Sequence, residues 1–381
     1  MFNFFPTIYD DELLYSAISR YQCKAGIVNK QALYKDLYKK VVSLNSVYFP
    51  VHIQSIVDNL PPTSTLKSQD IIEKNTLFKI FTAFLNKEVR DKVYSGMLNE
   101  HKSNPYQKMG IISSKISMKD KLFLCDKCLE EDIAKFGESY WRVIHQVPGV
   151  YFCSKHKTKL LESNVLSSES RINLICLDED IECNSVTKIS DKFMNINLEY
   201  INLVEDLYTL NLDSKEKEFF DNLYIDKLRD KGYTSKNGTI KLRELEEAFI
   251  EFYTQEYLEL MQSEINVGNS WLRRFIRKSK KNKHMLRHLL MIQFLGLSIE
   301  EVFNTKDIKG KGKYVYVPNP RLDLYEQRKK WLALLNENPG LNKSEYKKIG
   351  KGLYSWLYRN DNEWFNKVTP INIKYNKNKN S

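Results

Sequence analysis

The sequence predicts a mainly α-helical chain built from several modules, and three observations carry that expectation. Apolar residues recur at helical spacing over most of the 381 positions, which are enough to bury two or three small cores. Two short pairs, Cys125-x2-Cys128 and Cys153-x2-His156, interrupt the helical pattern in the middle. Charge is segregated: residues 270–381 hold 25 Lys+Arg against 9 Asp+Glu, whereas residues 1–269 hold 34 against 39. A lysine-rich coding bias would fill surfaces with lysine but would not sort it to one end. Such asymmetry points to a polyanion at the back and a different partner at the front.

Residues 1–119 read as a helical module. In DDELLYSAISRYQ, Leu13, Leu14, Ala17, Ile18 and Tyr21 share a helix face, and Asp10, Asp11 and Glu12 at its start suit capping. Further helices are expected at 30–44, 50–59, 67–84 and 87–100, punctuated by Pro50 and Pro61-Pro62. The polar stretch 101–119 reads as a linker.

Residues 120–200 hold the most specific signal. A C-x2-C turn aims two thiolates at one point, and a C-x2-H turn can add a third thiolate and an imidazole. Cys125, Cys128, Cys153 and His156 are therefore the ligand set of a closed, structural Zn2+ site in a zinc-ribbon-like module. Four protein ligands leave no open position for water, which disfavours a catalytic metal. The 24 residues between the pairs have room for a helix from Leu129 to Phe136 and one or two strands. His145 is a rival fourth ligand but lacks a paired turn. Cys23 reads as a small core residue, and Cys176 and Cys183 could hold a second metal, although two ligands are too few to assign one. Residues 166–200 read as irregular or short β.

Residues 201–300 read as a helical module with a first helix–turn–helix. A helical pair spans 214–262. Asn269 or Ser270 then caps SWLRRFIRKSKKNK, where Trp271 and Phe275 form an apolar pair. Arg273, Arg274, Arg277, Lys278, Lys280, Lys281 and Lys283 crowd the rest, and Arg287 lies in the mostly apolar HMLRHLLMIQFLGL that follows. A cationic face anchored by aromatics suits a DNA backbone, where neutralised phosphates release counterions.

Residues 301–381 read as a second helix–turn–helix and a disordered tail, NIKYNKNKNS. RLDLYEQRKKWLALLNEN gives one helix, broken by Pro339-Gly340. Asn342-x-x-Glu345 resembles a capping box opening a short second helix. Gly350 and Gly352 turn the chain into a third, GLYSWLYRNDNEWF. Lys351, Ser355, Tyr358, Arg359 and Asn362 offer a polar face to a major groove.

No apolar run approaches the ~20 residues of a membrane span, and no export signal precedes the first helix. Six cysteines in so long a chain suit a reducing cytoplasm. Neither an open metal position nor carboxylates clustered with a base are present, so the sequence does not read as an enzyme.

Several segments together are familiar: FPTIYDDELLYSAISR, NTLFKIFTAFLNKEVRDKV, GESYWRVIHQVPGVYFCSKH, WLRRFIRKSKKNKHMLRHLLMIQFLG and GLYSWLYRNDNEWF. In this order they resemble the TnsD/TniQ family, target-selection proteins of cut-and-paste transposons. The resemblance implies a non-enzymatic, nucleoid-associated adaptor that binds double-stranded DNA at a fixed chromosomal attachment site. That site lies at the end of a glucosamine-6-phosphate synthase gene. The adaptor recruits an AAA+ ATPase regulator, which brings the transposase. Metal ligation carries over to Cys125, Cys128, Cys153 and His156, and DNA contact to the regions Arg273–Arg287 and Tyr354–Trp364. Longer members continue past the end of this chain, so a short member or a shortened one is expected. Two alternatives stay open: a TniQ adaptor on a CRISPR RNA-guided complex, and a zinc-containing transcription regulator.

Overall fold

The structure is a computed structural model. It describes residues 4–39, 46–99, 105–168, 174–186, 189–235, 238–268, 270–277, 282–306 and 323–370. The chain forms two compact units, Met1–Lys311 and Gly312–Ser381. The expected tail and the last residues of the expected 30–44 helix lie outside the described residues. Among the described residues no helix is long and apolar enough to cross a membrane.

In the first unit a continuous apolar core runs from Leu13 to Phe303. The helix Leu14–Lys24 sits deep in it, with Leu14 through Tyr21 all buried. This exceeds the single apolar face expected, because Ser16, Ser19 and Arg20 are enclosed as well. The acidic residues ahead of it do not cap: the N-cap is Leu13, without a side-chain bond. Glu12 is instead fully buried and accepts from Arg20 Nε and Nη2 at 2.9 and 2.7 Å. The buried guanidinium and carboxylate satisfy each other's charge, while first-turn amides find backbone acceptors, Leu14 N–H donating to the Asn75 carbonyl at 2.8 Å.

The expected 67–84 helix is two helices, Ser68–Lys74 and Phe78–Thr82. Side chains break it by competing for backbone groups. Asn75 Nδ2 donates to the Glu12 carbonyl (2.8 Å), and the Phe78 amide donates to Thr76 Oγ1 (3.1 Å). The stretch expected as a linker is packed where it is described: Met109, Ile111 and Ile116 are buried. Lys119 is buried too, its ammonium donating to the carbonyls of His145 (2.7 Å) and Val150 (2.5 Å).

The sheet is small and antiparallel, in the order β1 (Lys121–Leu124), β2 (Leu161–Leu166), β3 (Cys183–Ser185). Phe123 pairs with Glu162 and Ser163 with Cys183. The helix Met194–Thr209 begins inside the stretch read as irregular, and buries Tyr200, Ile201, Val204 and Leu207. Its Asn197 binds the VPGV turn, donating to the Gly149 carbonyl (2.7 Å) and accepting from the Tyr151 amide (3.1 Å). Gly149 has φ +86°, and a Cβ there would stand 2.7 Å from Met261 Cε, so only glycine lets the turn approach. Of the helical pair expected over 214–262, the first is Lys217–Asp230, while the second is broken at Thr254 (φ 66°) into Leu242–Tyr253 and Gln255–Leu260. The helix Met285–Leu295 is buried along nearly its whole length, as the apolar run implies.

The second unit packs three stretches around Trp331: Leu324–Glu337, Lys343–Asn360 and Asn362–Val368. The capping box of Asn342 and Glu345 is formed in both directions. The middle stretch is two helices joined at Lys351, whose φ of 37° and ψ of −113° break the spiral. At Gly350 a Cβ would stand 2.5 Å from the Trp331 ring, which accounts for glycine before the turn. The third helix does not continue through Trp364 as expected; it ends at Asn360, and Asp361 (φ −152°, ψ 55°) separates it from the last helix. Polar side chains again explain the break: Asn360 Nδ2 donates to the Trp356 carbonyl and Asn362 Nδ2 to that of Tyr358. Arg328 grips the Asp361 carboxylate with two bonds of 2.7 and 3.0 Å.

Candidate metal centre and nucleic-acid interface

The fold delivers the four sequence-assigned metal ligands to one place. Strand β1 ends at Leu124, so Cys125 is the N-cap of helix Asp126–Phe136 and Cys128 stands on its first turn. The second pair rides on a tight turn closed by Cys153 N–H to the Thr158 carbonyl (2.8 Å) and Lys157 N–H to the Cys153 carbonyl (2.9 Å). His156 Nδ1 lies 3.4 Å from Cys125 Sγ, 3.4 Å from Cys128 Sγ and 3.6 Å from Cys153 Sγ. Cys128 and Cys153 sulfurs are 3.7 Å apart. All four donor atoms fall within 4.8 Å of one another, and the three cysteines are buried. This arrangement could hold a metal ion with four protein ligands.

The residues that aim these ligands were not legible as such in the sequence. Glu131, one turn beyond Cys128, meets His156 Nε2 at 2.9 Å and so leaves Nδ1 facing the thiols. Gln146 is fully buried and works like a strand partner: Oε1 accepts from Phe123 N–H (2.9 Å), and Nε2 donates to the carbonyls of Phe123 (2.8 Å) and Arg142 (3.0 Å). Arg142 makes a bidentate pair with Asp132 (2.7 and 2.9 Å), tying the ligand-bearing helix to the segment after Trp141. For Arg142 and Gln146 the advance signal was the dense YWR–HQ–PGV grouping between the two ligand pairs. His145, the rival ligand, is outside the quartet; its ring is buried, and burial pulls its pKa down to about 3. Cys176 and Cys183 do not converge: Cys176 faces Cys23, and Cys183 Sγ contacts the Ile181 carbonyl at 3.3 Å.

The cationic residues divide. The helix Trp271–Phe275 begins after Ser270 and turns Trp271, Leu272 and Phe275 inward. Ser270 Oγ donates to the buried carboxylate of Glu246 rather than capping its own helix. Arg274 and Arg277 are exposed and Arg273 is half-buried. Lys278, Lys280 and Lys281 lie outside the described residues. Lys283 points inward: it is ion-paired with Asp221 at 10% side-chain exposure, over the Phe275 ring. Arg287 stacks on Trp271 at 4.9 Å and donates to the Ser114 carbonyl (2.9 Å). Burial, then Arg274, lowers its pKa to about 10. Lys283 and Arg287 thus have internal partners, which the sequence run could not reveal.

In the second unit Lys351, Tyr358 and Arg359 are exposed and Ser355 is half-buried. Ser355 and Arg359 share the helix after the Lys351 turn. Asn362 opens the next helix, where its side chain also accepts from Asn366 Nδ2 (2.7 Å). Lys347 and Lys348, on the capped helix before the turn, are exposed cations that the sequence reading passed over.

Comparison with known proteins covers nearly the whole chain. A family model described as TniQ matches residues 3–160. One described as Tn7-like transposition protein D matches residues 201–327 and 322–381. The Transposon Tn7 transposition protein TnsD of Escherichia coli is 24% identical over 372 residues, which is 94% of this chain and 72% of that protein. With the front of the chain matching TniQ, the back matching the transposition protein D model, and one relative spanning both in the same order over 94% of this chain, the chain belongs to the TnsD/TniQ family.

Proposed function

We propose that this chain is a sequence-specific DNA-binding target selector of a Tn7-like transposon. It recognises a chromosomal attachment site and recruits an AAA+ ATPase regulator that delivers the transposase. The observation that carries this reading is the in-order relation to a transposition protein D over 94% of the chain. Recognition and recruitment require no bond-making by the protein. A four-ligand metal quartet, which leaves no coordination position for a substrate, is in keeping with that.

The metal is read as Zn2+. A tetrahedral ion with bonds of ~2.3 Å to sulfur and ~2.1 Å to nitrogen sets S–S at ~3.8 Å and S–N at ~3.6 Å. The separations of 3.7 Å between two sulfurs and 3.4–3.6 Å from sulfur to nitrogen suit that polyhedron. Bound there, the ion supplies folding energy and joins β1 to the turn carrying His156.

The DNA-facing part is assigned to the back half. Arg274 and Arg277 are phosphate contacts, continued by Lys278, Lys280 and Lys281. Arg273 supports them, while Lys283 and Arg287 brace the platform from inside. In the second unit, the capped helix from Lys343, the turn at Lys351 and the helix to Asn360 have a helix–turn–helix layout. Ser355, Tyr358 and Arg359 lie on its second helix, with Lys351 and Asn362 flanking it. Phosphate contacts give affinity and base-edge contacts give specificity.

The test is footprinting on host genomic DNA, then gel shifts on the protected duplex and a scrambled one, with no guide complex present. Arg359→Ala is expected to cost ~1–3 kcal/mol on the protected duplex and little on the scrambled one. Neutralising Arg274 and Arg277 together should weaken both and lower the salt slope by ~0.9 per contact. A wild-type protein that cannot tell the two duplexes apart would overturn the reading.

A further inference from the structure

Beyond the metal quartet, the fold brings two other thiols together. Cys23, expected in the core, is instead exposed in the last turn of helix Leu14–Lys24. Cys176, 153 residues further on, lies in a segment without regular structure that contacts this helix at Tyr15 and Cys23. That segment is held on both sides of Ile175. Its N–H donates to Tyr15 Oη (2.9 Å), and its carbonyl accepts from the indole N–H of the fully buried Trp141 (3.0 Å). The two Sγ atoms are 2.8 Å apart, inside the contact distance of separate thiols. They border a surface cavity of about 360 Å³ that also meets Arg20, Lys24, Glu138 and Asp178, so a small reagent can reach them.

We propose that Cys23 and Cys176 are a reversible redox pair, which hydrogen peroxide closes into a disulfide stapling the first helix to the segment after β2. The exposed Cys23 sulfur attacks one oxygen of hydrogen peroxide. The O–O bond breaks and the thiol proton leaves with the departing oxygen, giving a sulfenic acid on Cys23 and one water. The Cys176 sulfur then attacks the Cys23 sulfur. The S–O bond breaks, and the hydroxyl leaves with the Cys176 proton as a second water. Two electrons pass from the thiol pair to one peroxide, and a dithiol reductant reverses the change. The order follows from exposure: Cys176 is partly buried, its thiol pushed up to about 12 by burial and then by Cys23, so it serves as the resolving partner. The link encloses the whole metal-binding hairpin in a closed loop. It therefore removes freedom from the unfolded chain and raises the unfolding temperature.

The experiment uses the full-length, metal-loaded chain. It is treated with stoichiometric hydrogen peroxide, alkylated, and digested without reduction for peptide mapping. The expected product is one cross-linked peptide pair joining Cys23 to Cys176, with the metal retained and a melting midpoint ~5 °C or more higher. Dithiothreitol should reverse both changes, and Cys23→Ser or Cys176→Ser should abolish the cross-link and the shift. The proposal is overturned if both thiols remain open to iodoacetamide while peroxide releases the metal. Cross-linking of two chains through Cys23 would overturn it too. Neither result touches the DNA-binding reading.

Discussion

Gln146→Glu isolates the part of the metal module that the fold added to the motif. The substitution keeps volume and shape but replaces a buried NH2 with an oxygen. In the native site that NH2 donates to two carbonyls, Phe123 at 2.8 Å and Arg142 at 3.0 Å, while Oε1 accepts from Phe123 N–H. An ionised Glu keeps the last bond and turns the other two into contacts between acceptors. Each orphaned buried carbonyl costs ~1–3 kcal/mol, so the change costs ~2–6 kcal/mol at neutral pH. That is a large part of a typical ~5–15 kcal/mol total. The buried, unpaired carboxylate raises its own pKa, and its protonated form regains one donor. Sign and window follow: with a raised folded-state pKa, the folded variant binds the extra proton, so its deficit shrinks as pH falls below that value. The assay is denaturant unfolding of wild type and variant, metal-loaded, at pH 7.5 and 5.5. A deficit below ~1 kcal/mol at pH 7.5, or one unchanged at pH 5.5, would refute the strand-partner role of Gln146.

Other outcomes follow from single contacts. Cys125→Ser should lose the metal and destabilise the first unit, read as metal content by mass spectrometry alongside circular dichroism; full retention of metal would count against the quartet. Glu131→Gln weakens the bond that orients His156. Because Glu131 is 48% exposed, the expected loss of metal affinity is at the low end, ~10-fold in a chelator competition. Gly350→Ala pushes a methyl into Trp331 and should cost the second unit ~1–3 kcal/mol, seen as faster amide exchange at Leu357 and Phe365 with the first unit unaffected. Asp11, with its pKa raised to about 7 chiefly by burial, should make the folded protein lose stability as pH rises from ~4 to ~7. Asp11→Asn, at a backbone φ of 58° that Asn tolerates, should flatten that slope in pH-dependent melting.

What could be read without coordinates was short-range. The spacing of Cys125, Cys128, Cys153 and His156 encodes two turns, and each turn is a local object. The Asn342–Glu345 box needs only its own four residues. The burial of Met285–Leu295 follows from a mostly apolar run. Helix ends were less legible. At Asn75–Thr76 and Asn360–Asn362, side chains compete with the helix for backbone groups, and periodicity does not see that competition.

Other features depended on which surfaces meet. In sequence, Lys283 and Arg287 look like their exposed neighbours; Asp221 beneath one and Trp271 beneath the other turn them inward. The orientation of the His156 ring, Nδ1 toward the thiols, needed the Glu131 carboxylate against Nε2. Gln146 gains its role only because the turn after Trp141 folds back onto β1. Cys23 finds Cys176 across 153 residues of chain. Local spacing dictates ligand chemistry because a few residues supply all its geometry. A long-range partner is decided only when burying apolar surface forces distant segments together, and until then each buried charge or thiol has many possible mates.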